Sequence, residues 1–311
     1  MSLAAATPVL LLAGGPDREA AVSRRSAATL ATLLRCRGHR VTEREVDPAA
    51  MDAVADWVAT HPGGVVFPAL HGPWGEGGGV QRELERRGLP FVGCGSAAAA
   101  TAMDKAATKA AVAAAGVAVA EAQLLHAGGP GPTLPAPVVL KPNADGSSFD
   151  VVVCHDDRAR DQAWVRLAGR NPQLLCERLL VGEEVSVGWA LTPGAAGGQV
   201  LPPVCIRPAG GIYDHAAKYE RDDTTYHFDS VGLAAVVERL QMLTRTVVEV
   251  LGARHITRVD FIVTPETGPV FLEANTLPGF TDHSLVPMAL AQAGLDAASV
   301  VSHWVLDAAP G

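Results

Sequence analysis

The chain has 311 residues, is 48% hydrophobic and 19% charged, and carries a formal net charge of -8 at pH 7. That length and balance fit a globular protein of two or three domains, and the acidic surface argues against nucleic-acid or membrane-surface partners. Five scattered cysteines, Cys36, Cys94, Cys154, Cys176 and Cys205, form no metal-ligand spacing, and with no basic leader or apolar run of membrane length they point to a reducing cytoplasm.

In chain order, an apolar strand over 9–12 ends in Gly14-Gly15 before a helix over 17–36, the opening of a βαβ unit. Residues 40–46 read as a strand, 50–60 as a helix and 64–70 as a third strand. The loop from His71 to Gly79 is too rich in glycine for regular structure and sits at a strand's carboxyl end, where open α/β sheets bind ligands. That placement favours His71 as a site residue over a structural histidine. A helix over 80–87 and a short strand over 90–92 close the first domain near residue 95.

Residues 96–115 read as helical, with alanine-rich helical filler over 110–122, and 137–142 as a strand ending on Lys141-Pro142. The small residues Asn143 to Ser148 then offer amides and hydroxyls to phosphates, although a plain hairpin turn uses the same residues. A strand over 151–154, a helix over 157–168 and a strand over 173–180 follow, the last carrying Glu177, with Glu184 just beyond. Strands over 185–191 and 200–207 precede a long polar connection, 208–230, that holds Lys218 and all three tyrosines, Tyr213, Tyr219 and Tyr226. Such length signals a functional lid rather than a surface loop. Helices over 232–251, 285–293 and 297–306 complete the pattern.

Between them, 257–263 and 270–275 flank a Pro/Thr/Gly turn and read as a β-hairpin. A turn centred on Glu266 and Thr267 sets Asp260 opposite Glu273. Alternation then places Arg258, Asp260, Glu273 and Asn275 on one face, and Val259, Phe261, Leu272 and Ala274 on the apolar one. Opposed carboxylates repel, and an all-oxygen donor set suits Mg²⁺; a solvated acidic face gives the same pattern. Only four of the 25 basic residues are lysine: Lys105, Lys109, Lys141 and Lys218. A chain so biased toward arginine keeps lysine where a compact charge on a flexible stem is needed, whereas chance survival on an alanine-rich helix suffices for Lys109.

Six ordered motifs carry a resemblance that runs nearly end to end. They are Met103-Asp104-Lys105; Lys141-Pro142 before Gly146-Ser147-Ser148; Ala217-Lys218-Tyr219; Arg258-Val259-Asp260; Glu273-Ala274-Asn275-Thr276-Leu277-Pro278-Gly279; and His283-Ser284-Leu285-Val286-Pro287. With Ala69-Leu70-His71-Gly72 in support, the chain resembles the D-alanine–D-alanine ligases of the ATP-grasp superfamily. The resemblance implies an α/β fold of three domains: a Rossmann-like domain with a parallel sheet over 1–95, a central domain over 96–185 and a catalytic domain over 186–311. ATP is then held between the last two. It assigns Lys105 and Lys141 to the phosphates, Lys218 to the γ-phosphate, Glu177 and Leu180 to the adenine and Glu184 to the ribose, with Ser148 and Leu272 as further ATP contacts. Asp260, Glu273 and Asn275 become ligands of two Mg²⁺ ions, with Mn²⁺ an alternative. Arg258 and the Gly279 amide stabilise an oxyanion, Ser284 and Leu285 receive the second substrate's carboxylate, and His71, Ser147 and Tyr219 border the substrates. Amino-acid substrates, a homodimer and a cytoplasmic peptidoglycan role follow from the same resemblance.

Two positions depart from the family. The glutamate that precedes Val-Ser and holds the first substrate's ammonium is here Ala21, and Glu19, about 200° round a helix from it, substitutes only if the turn is redrawn. Asp150 stands where glycine is common. These departures keep two other readings open: a related ligase with a different first substrate, as in natural-product assembly, and a nucleotide-binding regulator that has lost ligation. Tyr219, rather than histidine, disfavours a D-lactate ligase.

Overall fold

The computed structural model describes residues 6–195, 197–210, 223–229 and 236–310. The first apolar run becomes β1 (Pro8–Gly14), buried at all seven positions because it is the middle strand of a parallel sheet. β2 (Arg40–Val46) and β3 (Val65–Pro68) flank it. Val9, Leu11 and Ala13 pack on one side with α1 (Ala20–Cys36), while Leu10 and Leu12 pack on the other with Met51 and Val54 of α2 (Met51–Thr60). Continuous rather than alternating hydrophobicity is what a parallel strand covered on both faces requires. The strand expected over 90–92 is reduced to a single bridge between Val66 and Phe91.

The glycine-rich loop after β3 is not wholly irregular: it contains one helical turn, α3 (Gly72–Gly75), before α4 (Gly79–Arg86). Asp17 Oδ2 accepts from the amides of Trp74 at 3.0 Å and Gly75 at 3.2 Å. Gly72 makes that approach feasible, since at its φ of +81° a Cβ would lie 2.5 Å from the Asp17 Cβ. The pin holds residues 17–19 out of the helix, so α1 begins at Ala20 rather than at 17.

The middle segment is broken at Asp104 into α5 (Ser96–Met103) and α6 (Lys105–Ala114), because the Asp104 carboxylate caps α6 by accepting from the Ala107 amide at 2.9 Å. An antiparallel sheet follows, ordered β4-β7-β5-β6, from β4 (Ala122–His126), β5 (Val138–Pro142), β6 (Val152–Cys154) and β7 (Gln173–Arg178). α7 (Asp157–Ala168) covers it. β4 went unforeseen because only Leu125 of its five residues is buried, so it lacks an alternating signal.

The third sheet centres on β8 (Glu183–Ala190), paired with β10 (Val204–Pro208) on one side and β12 (Ile256–Thr264) on the other, with β9 (Gln199–Val200) beside it. The expected 200–207 strand is split by Pro202 and Pro203, which have no amide to donate. Part of the polar connection is itself a strand, β11 (Thr224–His227), paired with β10; Tyr213, Lys218 and Tyr219 lie outside the described residues. α8 (Val237–Leu251), β13 (Gly268–Asn275), α9 (Leu285–Gln292) and α10 (Ala297–Ala308) complete the fold.

The β12–β13 hairpin sets Arg258 opposite Asn275 and Asp260 opposite Glu273. Beyond Asp260 the register slips by one, so Phe261 faces Phe271 and Leu272 is the extra residue of a β-bulge. This corrects the alternation at Leu272: Phe271 is fully buried beside Phe261, while Leu272 is half-buried.

Candidate active site

Loops and strand ends of all three sheets enclose a cavity of about 830 Å³. It is lined by His71, Lys105, Ser147, Arg258, Asp260, Glu273, Asn275, Gly279, Ser284 and Leu285, so most of the sequence-predicted residues converge. Ser148, Lys141, Glu177, Leu180, Glu184 and Leu272 do not line it, and Lys218 and Tyr219 lie outside the described residues.

The hairpin forms one wall. Arg258 grips Asp260, donating from Nε at 3.0 and 3.1 Å and from Nη2 at 2.8 Å, and Ser186 Oγ donates to the same carboxylate at 2.6 Å. Glu273 lies 3.5 Å from Lys105 Nζ, which also donates to the Asp145 carbonyl at 2.6 Å. Asn275 Oδ1 accepts from the Leu277 amide at 2.8 Å. The opposed acids are therefore offset by protein cations. Two carboxylates and an amide oxygen on one edge still fit Mg²⁺, which takes one or two carboxylates and completes its shell with phosphate and water.

A second wall carries Glu19 rather than Ala21. Ala21 is exposed, whereas Glu19, at the head of α1, is buried and accepts a short hydrogen bond from Ser147 Oγ. The turn is redrawn by the Asp17 pin, and the carboxylate in the cleft is Glu19. Burial, reinforced by the charge of Glu76, pushes its carboxyl up to about 7. Ser147 (φ +50°) and Ser148 (φ +55°) hold left-handed conformations unusual for non-glycine residues, a sign of a loop constrained for function. Asp150 does not face the cavity; it lies 3.6 Å from Arg170.

The third wall starts at Gly279, where a Cβ would come within 3.1 Å of Ser284 Oγ and 4.0 Å of His71 Nε2. Ser284 heads α9 and its Oγ accepts from the Thr281 amide at 2.8 Å. His71 is buried between Ser26 Oγ, 3.3 Å from Nε2, and Glu76 Oε2, 3.3 Å from Nδ1. Ser26 in turn accepts from the Phe280 amide at 3.1 Å, tying α1 to the loop before α9.

Sequence reasoning missed Ser26, Glu76 and Lys109. Ser26 stands three residues after buried Ser23 on the inner face of α1, a spacing that could have exposed it. Lys109 is 5% exposed and ion-paired with Glu177 at 3.0 Å, and Lys141 bonds the other carboxylate oxygen. The buried stripe Lys105, Thr108, Lys109 and Val112 of α6 repeats at i, i+3, i+4 and i+7, so the periodicity was readable even though its residues are polar.

Three comparisons bear on this arrangement. Residues 131–306 match the family described as D-ala D-ala ligase C-terminus. The chain is 38% identical over 296 residues to a D-alanine–D-alanine ligase of Anaeromyxobacter sp. (strain Fw109-5), covering 92% of each chain. Its fold superposes on the crystal structure of the D-alanine–D-alanine ligase of Bacillus anthracis with a TM-score of 0.82 at 25% identity, covering 97% of each chain. A structure of the Bacillus anthracis enzyme complexed with ATP gives a TM-score of 0.82 at 24% identity, with 98% of this chain and 97% of that one covered. The three-sheet α/β architecture is thus that of an ATP-grasp ligase, and the chain belongs to the D-alanine–D-alanine ligase family.

Proposed function

We propose that the protein joins two D-alanines into D-alanyl-D-alanine for peptidoglycan precursors, with conversion of ATP to ADP and phosphate. The observation that carries this reading is the contact of Glu19 with Ser147 in the same cavity as Arg258, Asp260, Glu273, Gly279 and Ser284. A buried carboxylate beside Ser147 supports a place for the first ammonium despite Ala21, and with it D-alanine as the first substrate.

The first D-alanine is held by its ammonium on Glu19, with Ser147 and His71 beside it. One of its carboxylate oxygens attacks the γ-phosphorus of ATP, the bond to ADP breaks, and an acyl phosphate forms. The neutral amine of the second D-alanine then attacks the acyl carbon, and the carbon–oxygen bond to phosphate breaks with its electron pair leaving on phosphate. The nitrogen gives up one proton, which the departing phosphate takes. Arg258 and the Gly279 amide, both at the cavity, would stabilise the oxygen that gains charge in that step. Ser284 and the Leu285 amide, at the head of α9, receive the second carboxylate. Lys105, Lys141 and Ser148 hold ATP phosphates, Glu177, Leu180 and Leu272 the adenine, and Glu184 the ribose. The resemblance assigns Lys218 to the γ-phosphate and Tyr219, with Ser147, to the edge of the substrates. Asp260, Glu273 and Asn275 would hold two Mg²⁺ ions, or Mn²⁺, which supply charge neutralisation at the phosphates. Residues 1–95, 96–185 and 186–311 act as three domains, and the enzyme works as a cytoplasmic homodimer.

The test is ATP turnover by the purified protein with Mg²⁺ and a panel of amino acids. Phosphate release with D-alanine, and a product mass of two alanines less one water, is expected. Turnover only with a mixed pair would overturn the substrate assignment.

A further inference from the structure

Lys109 is the one lysine to which the family resemblance assigns no role, and its surroundings give it one. An ammonium 5% exposed persists only if paired. Its Nζ lies 3.0 Å from Glu177 Oε2 and donates to the Phe271 carbonyl at 3.2 Å, while Lys141 Nζ bonds Glu177 Oε1. Glu177 is 3% and Lys141 5% exposed, so all three charges sit in the interior. Two ammoniums and one carboxylate leave one positive charge in excess. The Phe271 carbonyl belongs to the strand just before the bulge, whose amide side is tied to the Ala118 carbonyl at 2.8 Å. Lys109 therefore joins α6, the central sheet and the hairpin that carries Glu273.

Without Lys109 the charges would close on themselves. Lys141 and Glu177 would form a neutral pair, held firmly because a low-dielectric interior strengthens attraction between opposite charges. Lys141 would then have to break that pair to meet a phosphate. With Lys109 present, Glu177 stays neutralised whichever way Lys141 turns. Burial pulls the Lys109 ammonium below its ordinary pKa while Glu177 pulls it back, as a group held charged by one partner requires.

We propose that Lys109 is a positioning residue for nucleotide binding: it neutralises Glu177 so that Lys141 remains available to phosphate, and it fixes the bulged strand that presents Glu273. This rests on the ATP-dependent reading above. The test uses full-length Lys109→Met and Lys109→Arg, with the KM for ATP, the KM for D-alanine and thermal unfolding measured for each. Lys109→Met leaves Lys141 and Glu177 as a neutral pair, whereas Lys109→Arg keeps the single excess charge. The expected result is a KM for ATP raised about tenfold in Lys109→Met, within the range for neighbours that share one network, with the KM for D-alanine little changed. Lys109→Arg should stay within about threefold of wild type, which a packing role would not produce, because arginine keeps the charge and changes the shape.

An unchanged KM for ATP in Lys109→Met, or one raised equally in Lys109→Arg, overturns the inference alone. If Lys109→Met does not fold, Lys109→Arg decides: a KM for ATP near wild type supports the proposal and a raised one overturns it. Wild-type protein with no ATP dependence overturns the ligase reading and this inference together.

Discussion

Glu19→Gln tests the redrawn first-substrate site by moving stability and affinity in opposite directions. Burial and the neighbouring Glu76 raise the Glu19 carboxyl from 4.5 to about 7. The folded protein then holds this proton more tightly than the unfolded chain. The resulting stability is fully present below pH 4.5 and is lost as pH rises through 7. About 2.5 pH units at ~1.36 kcal/mol each correspond to about 3 kcal/mol. Glutamine keeps the shape and the bond to Ser147 without titrating, so in substrate-free urea unfolding the variant should match wild type near pH 5. At pH 8 it should be more stable by up to about 3 kcal/mol. Removing a charge-assisted hydrogen bond costs ~1.5–3 kcal/mol, which raises the KM for the first D-alanine by about ten- to a hundredfold. In wild type that KM should also fall as pH rises through 7, when Glu19 ionises, and the variant should lose this dependence. Unchanged stability at pH 8 together with an unchanged KM would refute the reasoning.

Three further outcomes follow from the geometry. Ala21→Glu should leave the KM for the first D-alanine unaltered, because residue 21 faces solvent; a marked fall in steady-state KM would mean that the head of α1 is placed otherwise. Glu273→Gln should remove most metal-dependent turnover, on the order of a hundredfold or more, through loss of a carboxylate at the phosphate edge; full activity in a Mg²⁺ titration would end its assignment as a ligand. Gly72→Ala places a methyl against Asp17 at a positive φ, a strain of about 1–3 kcal/mol, and should lower the unfolding midpoint and raise the KM for the first D-alanine together. A loss of stability with KM intact would separate the Asp17 pin from the position of Glu19.

Much of the hairpin wall of the cavity was legible because the hairpin obeys local rules. Alternation with period two and a recognisable turn suffice to oppose Asp260 and Glu273, and those residues do face each other. The apolar face was not fully legible. The turn pairs Thr264 with Gly268, which centres it on Glu266 alone. It is the bulge at Leu272 that restores the register at the carboxylates. Nothing in residues 264–275 announces a bulge, because the bonds that hold it, from Lys109 to the Phe271 carbonyl and from the Phe271 amide to Ala118, come from distant segments.

Glu19 teaches the same lesson from the opposite direction. Counting from the glycine turn puts alanine where the family has a carboxylate, and the count is right as far as local structure goes. What decides the outcome is a pair of hydrogen bonds from Asp17 to amides 57 and 58 positions away. They delay the helix and turn Glu19 inward. Local pattern therefore fixes which strands and helices form, while the choice of residue that faces the cavity depends on long-range bonds to loop amides. Lys109 lies between these cases. Its buried stripe on α6 follows ordinary helical spacing, but a stripe that includes two lysines cannot be an apolar core. Such a stripe requires carboxylates from other elements, and Glu177 and Glu273 are where the fold supplies them.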